Sequence, residues 1–276
     1  QTVADGEISR PPFLLLKGEI VMAYEQMLVP VLEKQALAKN IYRMVLQCRS
    51  IAQQAACGQF VHLLPVGCTL RRPISICENK AAGTLTIVFE VKGTGTDALA
   101  NVRVGENVDI LGPLGHGFTI LPEAKHVVVV GGGIGNPPML SLAQVYGERA
   151  TAICGFRSAN IATLQDEFHA SGAETILCTD DGTAGRQDLV TEPLKEQLAK
   201  GDVDMVYACG PRPMLKFVAA AAKEYGVRCE VSMEERMGCG IGACLVCACQ
   251  LEREGKSVMG HVCKDGPVFP AEEVVW

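Results

Sequence analysis

The sequence predicts a multi-domain chain: an antiparallel β-barrel, an α/β unit on a parallel sheet, and a small cysteine-rich unit at the C-terminus. Three observations predict it. At 276 residues the chain exceeds a typical single domain. Its apolar runs begin as short strands broken by Gly and Pro and then alternate with helical stretches. Regular periodicity stops near Met233, where glycine and cysteine take over. The divisions fall at 1–24, 25–121, 122–231 and 232–276.

The stretch 1–24 contains the run Pro11-Pro12-Phe13-Leu14-Leu15-Leu16, too short and too poorly flanked for a signal peptide, and reads as an N-terminal extension. Over 25–121, MLVPVLEKQAL, NIYRMVLQC, GQFVHLLPV, TLTIVFEVK and NVDILGPLG are strand-length runs separated by breakers, a spacing that favours a barrel over a helical domain. Over 122–231, HVVVVGGG, TAICGF, TILCTDDG and DMVYACGP alternate with helical stretches at 138–146 and 212–225, which is the pattern of βαβ units. The region 232–276 is too small for a hydrophobic core of its own and needs a staple.

Composition excludes several classes. A formal net charge of -6 argues against a nucleic-acid partner, since phosphate binding needs clustered Lys and Arg. With 48% hydrophobic and 20% charged residues and no long uninterrupted apolar segment, no transmembrane helix is expected. Thirteen cysteines in a long chain, most of them single in apolar runs, imply a reducing compartment, the cytoplasm, rather than a disulfide framework. Cys48, Cys154, Cys178 and Cys209 are expected as buried thiols in strands.

Four cysteines stand apart. Cys239, Cys244, Cys247 and Cys263 are spaced Cys-x4-Cys-x2-Cys, with the last Cys after a gap of fifteen residues, the plant-type [2Fe–2S] spacing. Thiolates hold ferric irons, and Gly238, Gly240 and Gly242 let the loop curl and aim N–H groups at sulfur. Structural zinc is the alternative, although zinc sites usually pair two short Cys hairpins. Cys249 is expected to be a packed spectator.

The run Gly131-Gly132-Gly133-Ile134-Gly135 follows an apolar strand and precedes a helix, so its backbone N–H groups can approach a pyrophosphate; tight strand–helix packing is the alternative. A second strand–helix turn, Cys209-Gly210-Pro211-Arg212-Pro213-Met214, is expected beside it on the same sheet edge, where ligands bind. Asp180 and Asp181 either meet ribose hydroxyls or cap the next turn.

Arg72-Pro73-Ile74-Ser75, Val88-Phe89-Glu90, Gly95-Thr96 and Gly112-Pro113-Leu114-Gly115 resemble the ferredoxin–NADP reductase superfamily. The resemblance implies that Arg72, Pro73, Ile74, Ser75, Val88, Phe89, Glu90, Gly95 and Thr96 bind FAD, with Arg72 on the pyrophosphate and Ser75 near the isoalloxazine. It also implies that Gly131, Gly132, Gly133 and Gly135, with Cys209, Gly210 and Pro211, line a nicotinamide-nucleotide site. Met237-Gly238-Cys239-Gly240-Ile241-Gly242-Ala243-Cys244 and Val262-Cys263-Lys264-Asp265-Gly266-Pro267 are similar to the electron-transfer subunits of dihydroorotate dehydrogenase B, in a likeness that runs from Gln26 to Trp276.

That resemblance implies an FMN-containing dihydroorotate-oxidising partner subunit, a heterotetramer of two plus two, and a relay through [2Fe–2S] and FAD to NAD. No side chain of this chain is then needed as nucleophile or general base. The rival is the flavoprotein subunit of an electron-bifurcating ferredoxin–NAD(P) oxidoreductase, or of a hydrogenase or sulfite-reductase complex. Bifurcating relatives are understood to carry Asp at the first cluster ligand, where this chain has Cys239. Arg157 after the second strand of the nucleotide unit could attract a 2′-phosphate, which leaves NAD against NADP open.

Overall fold

The computed structural model describes residues 24–80 and 82–276. The predicted extension 1–24 lies almost wholly outside the described residues.

Six strands close a barrel: β1 (Glu25–Ala38), β2 (Ile41–Gln47), β3 (Phe60–Leu64), β4 (Arg72–Lys80), β5 (Thr84–Glu90) and β6 (Asn107–Leu114), in the order β1-β2-β5-β4-β3-β6. All the pairings are antiparallel. Closure removes the exposed edges that would template aggregation. Alternation along the strands turns Val29, Val31, Met44, Leu46, Val61, Leu63, Ile87, Phe89 and Ile110 inward to fill the barrel.

The apolar runs foresaw five of these strands but not β4, whose Pro73 and polar Glu78-Asn79-Lys80 hide a strand pattern. Two short helices the runs did not announce, α1 (Arg49–Gln54) and α2 (Thr94–Asn101), cover the connections.

The second unit is a six-stranded sheet in the order β14-β11-β10-β7-β8-β9. Its strands β7 (Val127–Gly132), β8 (Ala150–Phe156), β9 (Glu174–Thr179), β10 (Met205–Cys209) and β11 (Arg228–Ser232) run parallel. The helices between them are α3 (Asn136–Tyr146), α4 (Gln165–Ala170), α5 (Thr191–Leu198) and α6 (Arg212–Glu224). Helix α3 starts earlier than the sequence suggested, because Pro137 and Pro138 sit in its first turn, where a missing N–H costs nothing. The central strands are buried on both faces: Val127 and Val129 join one core with Leu140 and Phe168, while Val128 and Val130 join another with Leu215 and Val218.

The C-terminal region adds the hairpin β12 (Ala248–Arg253) and β13 (Lys256–His261), then β14 (Val268–Pro270), which pairs antiparallel with β11 and is the sixth strand of the main sheet. Leu251, Val262, Phe269 and Val274 belong to the same apolar cluster as Val128 and Val206. The region therefore borrows its core from the α/β unit. Among the described residues no helix is long and apolar enough to cross a membrane.

Of the thiols expected in strands, Cys154 and Cys178 are buried in β8 and β9. Cys48 is buried but lies one residue past β2, at the start of α1, because the chain turns there to cover the barrel end. Cys209 closes β10 and is only partly buried, since strand ends open onto the ligand-facing edge.

Candidate functional site

Strand β4 begins with Arg72. Its guanidinium donates to the carbonyls of Leu70 (2.8 Å) and Arg71 (3.1 Å), and among the described residues it has no carboxylate partner. Neighbouring Arg71 is committed instead, through a 2.8 Å bond to Asp109 and a 3.0 Å bond to the His62 carbonyl. Arg72 lies against the first turn of α2: a Cβ added at Gly95 would stand 2.5 Å from its Cζ. Thr96 stitches that turn by accepting from the N–H groups of Lys92 (2.9 Å) and Gly93 (3.2 Å). A free guanidinium beside a helix N-terminus is suited to a pyrophosphate.

The pairings Phe60↔Ser75 and His62↔Pro73 turn Ser75 and Pro73 to the same face as Phe60 and His62. Phe89 is brought elsewhere: it is buried in the barrel core and stacks on Tyr42 with centroids 5.9 Å apart, so it can offer a ligand only backbone. Val88 packs towards the α/β unit, and Glu90 lies 3.5 Å from Lys92 at the strand end.

On the α/β unit, Gly131 and Cys209 are directly paired on adjacent parallel strands, so the two glycine turns do share one sheet edge. They interlock tightly. A Cβ at Gly135 would stand 2.5 Å from the Cys209 carbonyl carbon, and one at Gly132 would collide with Met214. Asn136 ties the turn by donating to the carbonyls of Gly133 (2.9 Å) and Gly155 (3.3 Å). Asp181 accepts from the N–H and hydroxyl of Thr183 at 3.0 and 2.6 Å, the turn-capping outcome.

In the C-terminal loop, six backbone N–H groups point at cysteine sulfurs. Ile241, Ala243 and Cys244 donate to the Cys239 sulfur at 3.4, 3.2 and 3.3 Å, and Cys239 donates to Cys244 at 3.4 Å. Gly242 donates to Cys263 at 3.1 Å, and Cys263 to Cys247 at 3.4 Å. Cys239 and Cys244 are thus reciprocally bonded, each N–H on the other's sulfur, while Cys263 donates to Cys247 in one direction and the Gly242 N–H ties the loop to Cys263.

Burial opposes ionisation of Cys239, yet the N–H groups of Ile241, Cys244 and Ala243 and the Cys244 side chain together bring its pKa down to about 7. Burial pushes Cys263 up to about 12, with the Cys247 thiol adding to it and the Gly242 N–H opposing. Burial likewise raises Cys249 to about 11, with Glu235 reinforcing, and no cluster-loop N–H points at its sulfur. Among the described residues no three His, Cys, Asp or Glu side chains form a group suited to a single metal ion. The paired thiols with sulfur-directed N–H groups fit a two-iron cluster, whose ligands divide two and two.

The loop packs against the barrel. Gly240 has φ +77°, a conformation that suits glycine, and a Cβ there would stand 2.5 Å from Nδ1 of His62 on β3. Gly115, at the end of β6, meets Gly266 and Pro267, and His116 donates to the Gly266 carbonyl at 2.6 Å. Burial holds the His62 pKa down to about 4, the Cys239 carbonyl opposing and Arg71 and Arg72 reinforcing. His62 was read from sequence only as part of an apolar strand run, and nothing in that run distinguishes it.

A family model described as the iron-sulfur cluster binding domain of dihydroorotate dehydrogenase B matches residues 234–275. A dihydroorotate dehydrogenase B (NAD(+)) electron transfer subunit of Bacillus cereus (strain AH187) is 40% identical over 267 residues, covering 92% of this chain and all of the relative. The chain belongs to the family of dihydroorotate dehydrogenase B electron transfer subunits. A subunit of the same name from Bacillus anthracis (strain CDC 684 / NRRL 3495) matches at the same identity and coverage.

Among solved structures, one concerned with flavin-based electron bifurcation in an NADH-dependent reduced ferredoxin–NADP oxidoreductase is 28% identical, with a TM-score of 0.81 over 91% of this chain and 90% of that one. Phthalate dioxygenase reductase, 18% identical with a TM-score of 0.60 over 86% of this chain and 77% of that one, shares the fold. As a dihydroorotate dehydrogenase B electron transfer subunit, the chain has places suited to three groups: the Arg72–α2 cradle, the paired glycine turns, and the four-thiol loop.

Proposed function

We propose that the chain carries electrons from a dihydroorotate-oxidising, FMN-containing catalytic subunit to NAD⁺, using FAD and a [2Fe–2S] cluster. When bound, the cluster supplies single-electron exchange, and FAD joins that to the hydride chemistry of the nicotinamide. The chain's own residues bind and orient. Cys239, Cys244, Cys247 and Cys263 would hold the irons, and their N–H donors favour the thiolate form. Arg72 and the first turn of α2, including Gly95 and Thr96, would hold the FAD pyrophosphate, with Pro73 and Ser75 contributing side chains from one face of β4, and Ile74, which packs on the barrel core, offering backbone together with Val88, Phe89 and Glu90. Gly131, Gly132, Gly133, Gly135, Cys209, Gly210 and Pro211 would hold the nicotinamide nucleotide at the carboxyl ends of β7 and β10.

The observation that carries this reading is the packing of the cysteine loop on the barrel strand adjoining β4, through Gly240 and His62, in a chain 40% identical to named electron transfer subunits. A heterotetramer of two plus two, a cytoplasmic setting and NAD over NADP belong to the same proposal. The exposed apolar side chains Ile241, Leu245 and Val246 beside Cys244 suit contact with a partner.

Affinity purification of the chain from its own cells tests it. Recovery of an FMN-containing chain, with dihydroorotate-dependent reduction of NAD⁺ by the complex, is expected. Recovery of a hydrogenase-like or glutamate-synthase-like chain instead would favour the bifurcating reading, which the 0.81 TM-score keeps as the second choice.

A further inference from the structure

His62 is wholly buried, and among the described residues neither of its ring nitrogens has a hydrogen-bond partner. Buried side-chain nitrogens are nearly always hydrogen-bonded, so an unpartnered ring calls for an explanation. Its surroundings say what. Arg71, anchored on Asp109, fixes the His62 backbone through a 3.0 Å bond to its carbonyl. Phe60 meets the ring edge-on, with centroids 6.5 Å apart and planes at 79°.

Gly240, between Cys239 and Cys244, comes so close to Nδ1 that only a hydrogen fits in place of a side chain. The carbonyl that leads into Gly240 along the chain is that of Cys239. Register places the imidazole on the same face of β3 and β4 as Pro73 and Ser75. The ring thus fills the space between β4 and the limb of the loop carrying Cys239.

We propose that His62 is a positioning residue: its ring N–H, unpartnered among the described residues and packed on Gly240, is the donor that closes on the Cys239 carbonyl and holds the Cys239–Gly240 limb at its distance from β4. The inference rests on the cluster reading above. The Cys239 sulfur receives three of the six sulfur-directed N–H bonds, from Ile241, Ala243 and Cys244. Releasing the limb loosens these bonds. Hydrogen bonds to cluster sulfurs are among the terms that set the reduction potential, and weaker ones make the reduced state harder to reach.

The test compares His62→Leu, which keeps apolar volume without a donor, with His62→Gln, which restores one. Iron and sulfide content is measured first, and the cluster is then titrated electrochemically with electron paramagnetic resonance detection. At a fixed potential the Leu variant is expected to hold about tenfold less reduced cluster relative to oxidised, equivalent to 59 mV for one electron. The Gln variant is expected to stay within about threefold of the wild type. A Leu variant that loses its cluster while the Gln variant keeps a native spectrum supports the same role. A Leu variant with native potential and spectrum, or a Gln variant as perturbed as Leu, overturns it. A wild-type chain without iron and sulfide overturns the cluster reading itself.

Discussion

Substitution Gly95→Ala tests the flavin cradle at the point where the packing is tightest. The new methyl would stand 2.5 Å from Arg72 Cζ, well inside contact distance, and the guanidinium is the flexible partner, so it must swing away. Backbone strain is not involved, because Gly95 does not have a positive φ. If Arg72 makes a charge-assisted bond to the FAD pyrophosphate, losing it costs about 1.5–3 kcal/mol, which is about 10- to 160-fold in Kd. The assay is FAD binding to apoprotein, followed by quenching of flavin fluorescence, for Gly95→Ala, Arg72→Ala and the double variant. Both singles are expected to weaken binding to a similar extent, and the double variant no further than Arg72→Ala alone, because both act through one contact. Native affinity in Gly95→Ala, or losses that add in the double variant, would refute the assignment of Arg72.

Other expectations are equally concrete. Cys244→Ser should leave NADH oxidation by artificial two-electron acceptors largely intact while blocking transfer from the catalytic partner; equal loss of both would mean that the loop is needed for folding, as its borrowed core allows. Gly240→Ala should lose about 1–2 kcal/mol from its positive φ and lower iron content further by pressing on His62, read by chemical denaturation and iron assay. Asp204 accepts from the N–H groups of His126 (3.1 Å) and Lys125 (2.6 Å) at the entry to β7, and these bonds hold its pKa below the usual 3.8 despite some desolvation. Its ionised form therefore stabilises the fold above the unfolded pKa, and that contribution is lost as pH falls through the folded value. Asp204→Ala should cost about 1 kcal/mol at pH 7, and the gap to wild type should close in acid below the folded pKa, as followed by thermal melts.

Much of this organisation was legible in the residues. The change of apolar period marked the passage from barrel to parallel sheet, because each period is the direct imprint of strand or helix geometry. Spacing alone singled out Cys239, Cys244, Cys247 and Cys263, on whose sulfurs the folded loop directs its N–H groups. Strand β4 was not, because Pro73 and the polar Glu78-Asn79-Lys80 break the alternation, and only the pairing with β3 and β5 makes it a strand. Nor was the dependence of 232–276 on the main sheet, since β14 is three residues long and gains its meaning from β11, a non-local partner. Phe89 was itself expected at the FAD, yet the barrel interior claims its side chain. His62 was invisible for a related reason: nothing in its apolar run shows that folding brings Gly240 against its ring.

The most direct test of the account is anaerobic titration of the purified chain with NADH, followed by visible absorbance and electron paramagnetic resonance together. The account predicts a yellow-brown protein in which NADH bleaches the flavin and a paramagnetic cluster signal grows with it, with iron and acid-labile sulfide in equal amount. A colourless, zinc-containing protein, or flavin bleaching with no cluster signal, would contradict it.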